Sequence, residues 1–200
     1  MHKPAATEAE LIDPIRERWS PRAFDPSQEI PAPLLAEVFE AARWAPSCFN
    51  EQPWRYLIFG KNDALRAEVE ACLNPTNGWA AQASHLIVIC ALKTFSHNQK
   101  PNRHAAYDSG AASMALILQA QSRGLASHQM AGFKREELEK ALQIPAESVE
   151  CLAIMALGYA CEAEEKSGLS PEQLEKEKAP RQRKALEQIA LQGKTWAFGS

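Results

Sequence analysis

The sequence lacks the features that mark a secreted, zinc-binding or membrane-spanning protein. Its five cysteines are scattered, with no paired CxxC spacing, which argues against a zinc site or a disulfide framework and favours reduced thiols. The N-terminus has no apolar segment long enough for a signal peptide. The strongly apolar runs at residues 86–92 and 151–157 have the length of strands and are too short to span a bilayer. These absences predict a soluble cytoplasmic protein.

The charge balance and the glycine pattern exclude further classes. A formal net charge of -3 and a pI near 6.0 argue against nucleic acid or an anionic membrane as the main partner, because both favour an excess of Lys and Arg. The nine glycines nowhere form GxGxxG between a strand and a helix, so a bound nucleotide has to be held in another way. Residues His85, His104 and His128 have no second ligand at metal-binding spacing, and no metal site is expected.

The alternation of apolar strand-like runs and helical patterns predicts one α+β or α/β domain over residues 1–200, without repeats. Helices are expected at 34–42, 62–72, 103–123 and 134–142, and strands at 55–59, 85–92 and 151–157. Gly124 is expected to end the longest helix, and 125–133 to be irregular and partly extended. Residues 1–12 are expected to be flexible. The charged segment 162–200 has little apolar surface and is a candidate for wrapping around a partner subunit.

The stretch at residues 43–59, RWAPSCFNEQPWRYLIF, leaves a helix and enters a strand through a loop of uncharged polar groups. Asn50 and Gln52 each carry a donor and an acceptor, and Ser47 adds a hydroxyl. Such groups suit the rim of a flat heteroaromatic ligand. An ordinary helix-to-strand turn explains the same composition equally well. Trp44 and Trp54 are expected to pack in the core or at an interface.

Two pairs of arginines stand out in this acidic chain: Arg18 with Arg22, and Arg181 with Arg183. Alternate spacing in a turn or extended segment can point both guanidinium groups of a pair the same way, and guanidinium groups bind phosphate oxygens in a bidentate manner. The two pairs together could hold one phosphate dianion. For either pair alone, solvated arginines in local salt bridges are the simpler interpretation.

Four segments in order carry a resemblance to the FMN-dependent nitroreductase family that extends over about residues 15–198. They are RWSPRAFD at 18–25, APSCFNEQPWR at 45–55, GLASHQMAGF at 124–133 and APRQRKALEQI at 179–189. The resemblance implies an α+β fold whose mainly antiparallel central sheet is wrapped by helices. It also implies a homodimer with FMN sites at the interface, each built from both chains, and a C-terminal extension that crosses to the partner subunit.

The resemblance assigns candidate cofactor-binding residues motif by motif. It implies that the first FMN-contacting motif is formed by Arg18, Trp19, Ser20 and Arg22, and that the loop reaching the flavin of the other subunit contains Pro46, Ser47, Cys48 and Asn50. It also implies that Gln129, Met130, Ala131 and Gly132 run along the flavin ring, with Asn77 beside the pyrimidine edge. The C-terminal phosphate contacts would be Arg181 and Arg183. The backbone N–H of Ala131 or Gly132 would face the reactive nitrogen. Two positions depart from the family: Cys48 stands where serine is common, and Ala131 where some members carry glutamate.

The resemblance implies an enzyme that takes hydride from NAD(P)H and reduces nitroaromatics, quinones or a related small flat acceptor by a ping-pong mechanism. The chemistry resides on FMN, and no side chain is expected to act as a catalytic acid or base. A positive charge from Arg22 about 4 Å from the reduced ring would raise the flavin potential by at most ~90 mV. A flavin-binding carrier or sensor without turnover, and a dedicated reductase of an unsaturated or halogenated metabolite, remain alternatives.

Overall fold

A computed structural model describes residues 2–163, 168–193 and 196. Four antiparallel strands form one sheet in the order β1-β2-β4-β3. They are β1 (Trp54–Gly60), β2 (His85–Leu92), β3 (Ala126–Met130) and β4 (Val149–Gly158). The mixed helical and antiparallel architecture confirms the predicted α+β class.

Six α-helices and three short 3-10 helices surround this sheet in the described part of the chain. The α-helices are α1 (Asp13–Glu17), α2 (Ala32–Arg43), α3 (Arg66–Ala71), α4 (Ala105–Ser122), α5 (Arg135–Ala141) and α6 (Pro171–Lys178). The 3-10 helices are Cys48–Asn50, Pro75–Gln82 and Leu186–Gln188. As predicted, Gly124 follows the longest helix, with a φ of 76° that glycine adopts without steric cost.

The two central strands are apolar along almost their whole length because both faces of the sheet are covered. In β2, Leu86 and Val88 point into one core cluster, whereas Ile87 and Ile89 point into the other. Helices α3 and α5 and the 3-10 helix Pro75–Gln82 contribute to the first cluster. Helices α2 and α4 contribute to the second. The sheet is therefore the middle layer of the domain.

Two internal segments differ from the sequence-based expectations. The helix expected at 62–72 is limited to α3, where the buried guanidinium of Arg66 donates to the carbonyls of Phe59, Ala81 and Ala83. The segment 125–133 contains the regular strand β3, because its residues pair with β4 on the far edge of the sheet. Local sequence contained no strong strand pattern there, so pairing across the sheet determines the structure.

Residues near both termini, within the described ranges, contact the body of the same chain. Residues 2–12, expected to be flexible, include Ala5, whose N–H donates to the carbonyl of Arg16 at 2.8 Å. In the expected partner-wrapping tail, Leu169 is buried in the core and the side chain of Gln173 in α6 donates to the carbonyl of Thr76. The crossing of the tail to a partner stays a prediction for this segment, of which residues 164–167, 194–195 and 197–200 lie outside the described part.

The described residues include no helix that is long and apolar enough to cross a membrane. The five cysteines, all within the described ranges, are thiols rather than disulfides, and Cys90 and Cys151 lie opposite each other on β2 and β4 with their sulfurs 3.8 Å apart. No group of three or more His, Cys, Asp or Glu side chains at residues 2–163, 168–193 and 196 could hold a metal ion.

Candidate active site

Both predicted arginine pairs line one cavity of about 240 Å³, which we call the cation pocket. Its lining residues are Lys3, Arg18, Trp19, Ser20, Arg22, Lys176, Ala179, Pro180, Arg181 and Arg183. Six of these ten residues are cationic, and they come from the N-terminus, the segment after α1 and the C-terminal segment. The structure therefore brings the two arginine pairs together, as predicted, although more than 150 residues separate them in sequence.

Arg18 is the least compensated charge of the cation pocket. Its Nε is buried and has no hydrogen-bond partner, and its only hydrogen bond in the described chain is a long one, 3.4 Å, from Nη2 to Ser20 Oγ. Burial lowers the pKa of Arg18, and the neighbouring charges of Arg181 and Arg183 lower it further. A buried donor without a partner costs free energy, and an anion in the cavity would relieve both the missing hydrogen bond and the repulsion.

Arg22 contacts a carboxylate that sequence analysis did not single out. Its Nη1 lies 3.4 Å from Oε2 of Glu177, and the carboxylate also accepts the backbone N–H of Arg22 at 2.7 Å and that of Ala23 at 3.2 Å. Glu177, at the end of α6, is only 1% exposed. The buried carboxylate thus ties the C-terminal helix to the first motif and partly balances the charge of Arg22.

The other two arginines of the pocket bond to carbonyls. Arg181 Nη1 donates to the carbonyls of Lys3 at 3.0 Å and Arg16 at 2.8 Å, and Arg183 Nη1 donates to that of Gln182 at 2.6 Å. Neither forms a salt bridge with a described residue, so the local ion-pair interpretation does not explain the C-terminal pair. A carbonyl satisfies a donor without neutralising its charge, and the pocket remains positive.

The end of β3 brings two further candidate residues together. The side-chain amide of Asn77 donates to the carbonyl of Gly132 at 2.9 Å, and the backbone N–H of Asn74 donates to the same carbonyl at 3.1 Å. A Cβ on Gly132 would approach the side-chain amides of Asn77 and Asn74 to 3.0 and 3.1 Å, which explains a glycine here. The backbone N–H groups of Ala131 and Gly132 make no hydrogen bond with described residues, so both are free to donate to a ligand.

His128 connects this strand to the cation pocket. Its Nδ1 lies 2.9 Å from the carbonyl of Pro21, and because a carbonyl only accepts, Nδ1 carries the proton. The ring packs on Trp79 with a centroid distance of 4.6 Å. Burial lowers the pKa of His128 to about 4, with Arg22 and Arg18 as smaller lowering influences, so the imidazole is neutral at pH 7. His128 therefore positions the first motif beside β3.

The loop at residues 46–52 lies elsewhere and lines no part of the cation pocket. The backbone N–H of Cys48 donates to Oδ2 of the buried Asp108 on α4 at 3.0 Å, and Ser47 Oγ accepts the N–H of Gln52 at 2.9 Å. Phe49, Asn50 and Gln52 have φ values of 54°, 55° and 50°. Left-handed backbone is unfavourable for such residues and persists only where the surroundings enforce it.

The loop and the preceding end of α2 also expose large aromatic side chains. Phe49 is 80% exposed and Trp44 is 75% exposed, whereas Trp54 is buried. The expectation that Trp44 packs in the core is therefore wrong for this chain, while packing at an interface remains consistent with its exposure. Within one chain, the structure brings together the first motif, the C-terminal arginines and, through His128, the end of β3. It does not bring the 46–52 loop into the cavity.

Sequence analysis missed three residues that line or support the cation pocket: Lys3, Lys176 and Glu177. Each is a charged residue in a segment without motif character, and only long-range packing places it at the pocket. Asp108, expected from the sequence to lie on the helix surface or at the pocket edge, is instead buried and holds the 46–52 loop. A sequence signal existed only for Glu177 and Lys176, which stand a few residues before the basic segment at 179–184. Nothing in the local sequence distinguishes Lys3 from a surface lysine.

The chain is similar in sequence and fold to known proteins. The nitroreductase family profile matches residues 15–77 and 70–159. A crystal structure described as an oxidoreductase containing FMN is 31% identical, with a TM-score of 0.85 and coverage of 94% of each chain. An uncharacterized 15.4 kDa protein of Mycolicibacterium smegmatis is 38% identical over 119 residues, which are 59% of this chain and 76% of that protein.

A functionally named relative matches a shorter region. The oxygen-insensitive NADPH nitroreductase of Helicobacter pylori J99 is 34% identical over 79 residues, which are 40% of this chain and 37% of that protein. The family match covers most of the present chain, from the first motif to the end of β4. The chain belongs to the nitroreductase family.

Proposed function

We propose that this protein is an FMN-dependent oxidoreductase that takes hydride from NAD(P)H and reduces a small flat acceptor, such as a nitroaromatic or a quinone. The family membership and the FMN named for a solved relative support the cofactor, and the NADPH nitroreductase of Helicobacter pylori supports the donor. The observation that carries the proposal is the cation pocket, because two arginine pairs from opposite ends of the chain meet in one cavity.

The residues of the pocket fit the phosphate group of FMN. The unpartnered Nε of Arg18, the hydroxyl of Ser20 and the charges of Arg181 and Arg183 supply donors and positive charge for a dianion. The end of β3 fits a flavin ring in a different way, through the free N–H groups of Ala131 and Gly132 and the close approach that a glycine permits at position 132. Anchoring a phosphate at one end would fix the position of a ring at the other.

FMN, when bound, supplies the two-electron chemistry, and the protein binds it, orients it and adjusts its potential. Arg22 stabilises negative charge in the site, and Glu177 keeps its guanidinium in position. His128 stays neutral and holds the first motif against β3 through the carbonyl of Pro21. No described carboxylate or imidazole is required to move a proton in this proposal.

We propose a homodimer in which the 46–52 loop contacts the flavin bound to the partner subunit. Helix α4 supports this, because it buries one face in the core while Tyr107 and Met114 on its other side are 80% and 42% exposed. The exposed Trp44 and Phe49 extend the same apolar character at the end of α2 and in the loop. Pro46, Ser47, Cys48 and Asn50 would then complete the site across the interface.

An open site shared by donor and acceptor predicts ping-pong kinetics, seen as parallel lines in double-reciprocal plots. The first experiment is the absorption spectrum of the purified protein before and after addition of FMN. The spectrum of bound oxidised flavin is expected, followed by anaerobic bleaching with NADH or NADPH and recovery with a nitroaromatic or quinone. Failure to bind FMN would overturn the proposal. Binding without bleaching would favour a carrier or sensor, and recovery only with an unsaturated or halogenated compound would favour a dedicated reductase.

A further inference from the structure

The N-terminal arm, residues 2–5, contributes Lys3 to the lining of the cation pocket and is held in place by several contacts. Ala5 donates its N–H to the carbonyl of Arg16, and Arg181 donates from Nη1 to the carbonyl of Lys3. The side chains of His2 and Glu17 form a short contact. These contacts fix the backbone on both sides of Lys3, and its side chain leaves the arm from a fixed Cα position.

The ammonium group of Lys3 lines the pocket together with the arginines. Its Nζ donates to the carbonyl of Glu177 at 2.7 Å and lies 4.4 Å from the ring centroid of Trp19. An ammonium has three N–H donors, and only one of them is used in a hydrogen bond to a described residue. Burial lowers the pKa of Lys3, and Glu177 raises it while Arg22 and Arg181 lower it.

The environment of Lys3 is unusual for a structural lysine, because most of the charges around it are positive. Among the charged groups that shift the pKa of Lys3, Glu177 is the one carboxylate, whereas Arg22 and Arg181 are cations. The Glu177 carboxylate already accepts hydrogen bonds from the backbone of Arg22 and Ala23. The uncompensated charge and the unpartnered Nε of Arg18 both favour the binding of an anion between the N-terminal and C-terminal segments. A lysine with spare donors beside that position can contact it directly.

We propose that Lys3 is a phosphate-binding residue and that the N-terminal arm closes over the phosphate group of the bound flavin nucleotide. This rests on the proposed function, since the phosphate in question is that of FMN. Lys3 donates to a phosphate oxygen while Trp19 and the Glu177 carbonyl hold its ammonium in place. Arg181 has two roles: it anchors the arm through the Lys3 carbonyl and adds positive charge to the pocket.

Comparison of FMN with riboflavin, which lacks the phosphate, tests the proposal. Dissociation constants are measured by quenching of flavin fluorescence for the wild type, Lys3→Ala, Lys3→Arg and the control Lys100→Ala, an exposed lysine outside the pocket. Lys3→Ala is expected to weaken FMN binding about tenfold, as for the loss of one charged hydrogen bond, and to leave riboflavin binding unchanged. Lys3→Arg should retain most of the FMN affinity, and Lys100→Ala all of it.

Two further measurements distinguish phosphate binding by Lys3 from a structural role of the N-terminal arm. Inorganic phosphate should compete with FMN for the wild type and less effectively for Lys3→Ala. The thermal midpoint of flavin-free Lys3→Ala should equal that of the wild type. Equal loss of FMN and riboflavin affinity in Lys3→Ala would indicate a structural role of the arm and overturn the proposal, as would undiminished FMN affinity. If the wild type binds no FMN, the proposed function itself has failed, which is a different result from tight FMN binding by Lys3→Ala.

Discussion

The cation pocket and the 46–52 loop differ in how far one chain completes them. The pocket collects side chains from both ends of the chain and fixes them with the buried Glu177. The loop has a strained backbone, held at Cys48 by Asp108, and leaves Phe49 exposed. The arginine side of the proposed site is therefore preorganised within one chain, whereas the loop presents an exposed surface that a second subunit would cover in the proposed dimer.

Electrostatics explains this difference. Clustered cations repel one another, and hydrogen bonds and a carboxylate are needed to hold them together against this repulsion, so the pocket needs support from its own chain. An exposed aromatic surface carries no such cost within a monomer and gains free energy only when another surface covers it. The following predictions test the two regions separately, from the largest expected effect to the smallest.

The largest effect is expected from removing the C-terminal arginines. The double substitution Arg181→Ala with Arg183→Ala deletes two positive charges and the anchor of the N-terminal arm, and should weaken FMN binding about 100-fold or more. Flavin retained after gel filtration and a fluorescence titration measure this. Arg103→Ala, at an exposed position outside the pocket, is the matched control. Normal FMN affinity in the double variant would contradict the phosphate role of the pocket.

On the loop side, Asp108→Ala leaves the N–H of Cys48 without its acceptor. Loss of this buried hydrogen bond should lower the free energy of unfolding by about 2 kcal/mol and speed hydrogen exchange in the loop. Asp108→Asn keeps an acceptor oxygen at the same place and should be much closer to the wild type. Denaturant unfolding of the wild type and both variants measures these differences in the free energy of unfolding. Equal effects of Ala and Asn would show that this hydrogen bond does not hold the loop.

The link between the pocket and β3 should make stability depend on pH through His128. Its pKa is about 4 in the folded protein, against the ordinary histidine value of 6.5 in the unfolded chain, so between these values the unfolded chain binds more protons. Stability should then fall as pH decreases from 6.5 to 4, by up to about 1.4 kcal/mol per pH unit, and be fully present above 6.5. His128→Gln should remove this dependence. Unfolding curves for both proteins across that range measure it, and identical slopes would exclude His128 as the cause.

The smallest effect concerns Arg22. Arg22→Ala should lower the midpoint potential of bound flavin by ~30 mV, well below the ~90 mV limit for an uncompensated charge, because Glu177 already balances part of the arginine charge. Spectroelectrochemistry of the FMN-bound protein measures the shift. Glu177→Gln, which keeps an acceptor for the backbone N–H groups, should shift the potential in the opposite direction. An unchanged midpoint in Arg22→Ala would contradict its assignment as a charge that tunes the flavin.

Much of the fold was predictable because its main elements carry strong local patterns. The apolar run at His85–Leu92 and the long helix up to Gly124 were identified within two residues of their observed bounds. Strand β3 was not, since it lies at the sheet edge and its Ser, His and Gln residues depend on pairing with β4. The four motifs led to the family. The structure places the two arginine pairs in one cavity, and their binding of a phosphate stays a prediction. The role of Lys3 was not predictable, since nothing in its local sequence distinguishes it from a surface lysine.

The sequence alone determined most of the helices and strands, the family and the side-chain chemistry available at the site, because periodicity and short motifs are local properties. The tertiary structure decided which charges meet. Arg18 and Arg181 become neighbours, Glu177 at the end of α6 is buried against the first motif, and the N-terminal arm reaches the pocket. Such contacts depend on how α6 and the chain ends pack on the sheet, and no local pattern encodes them.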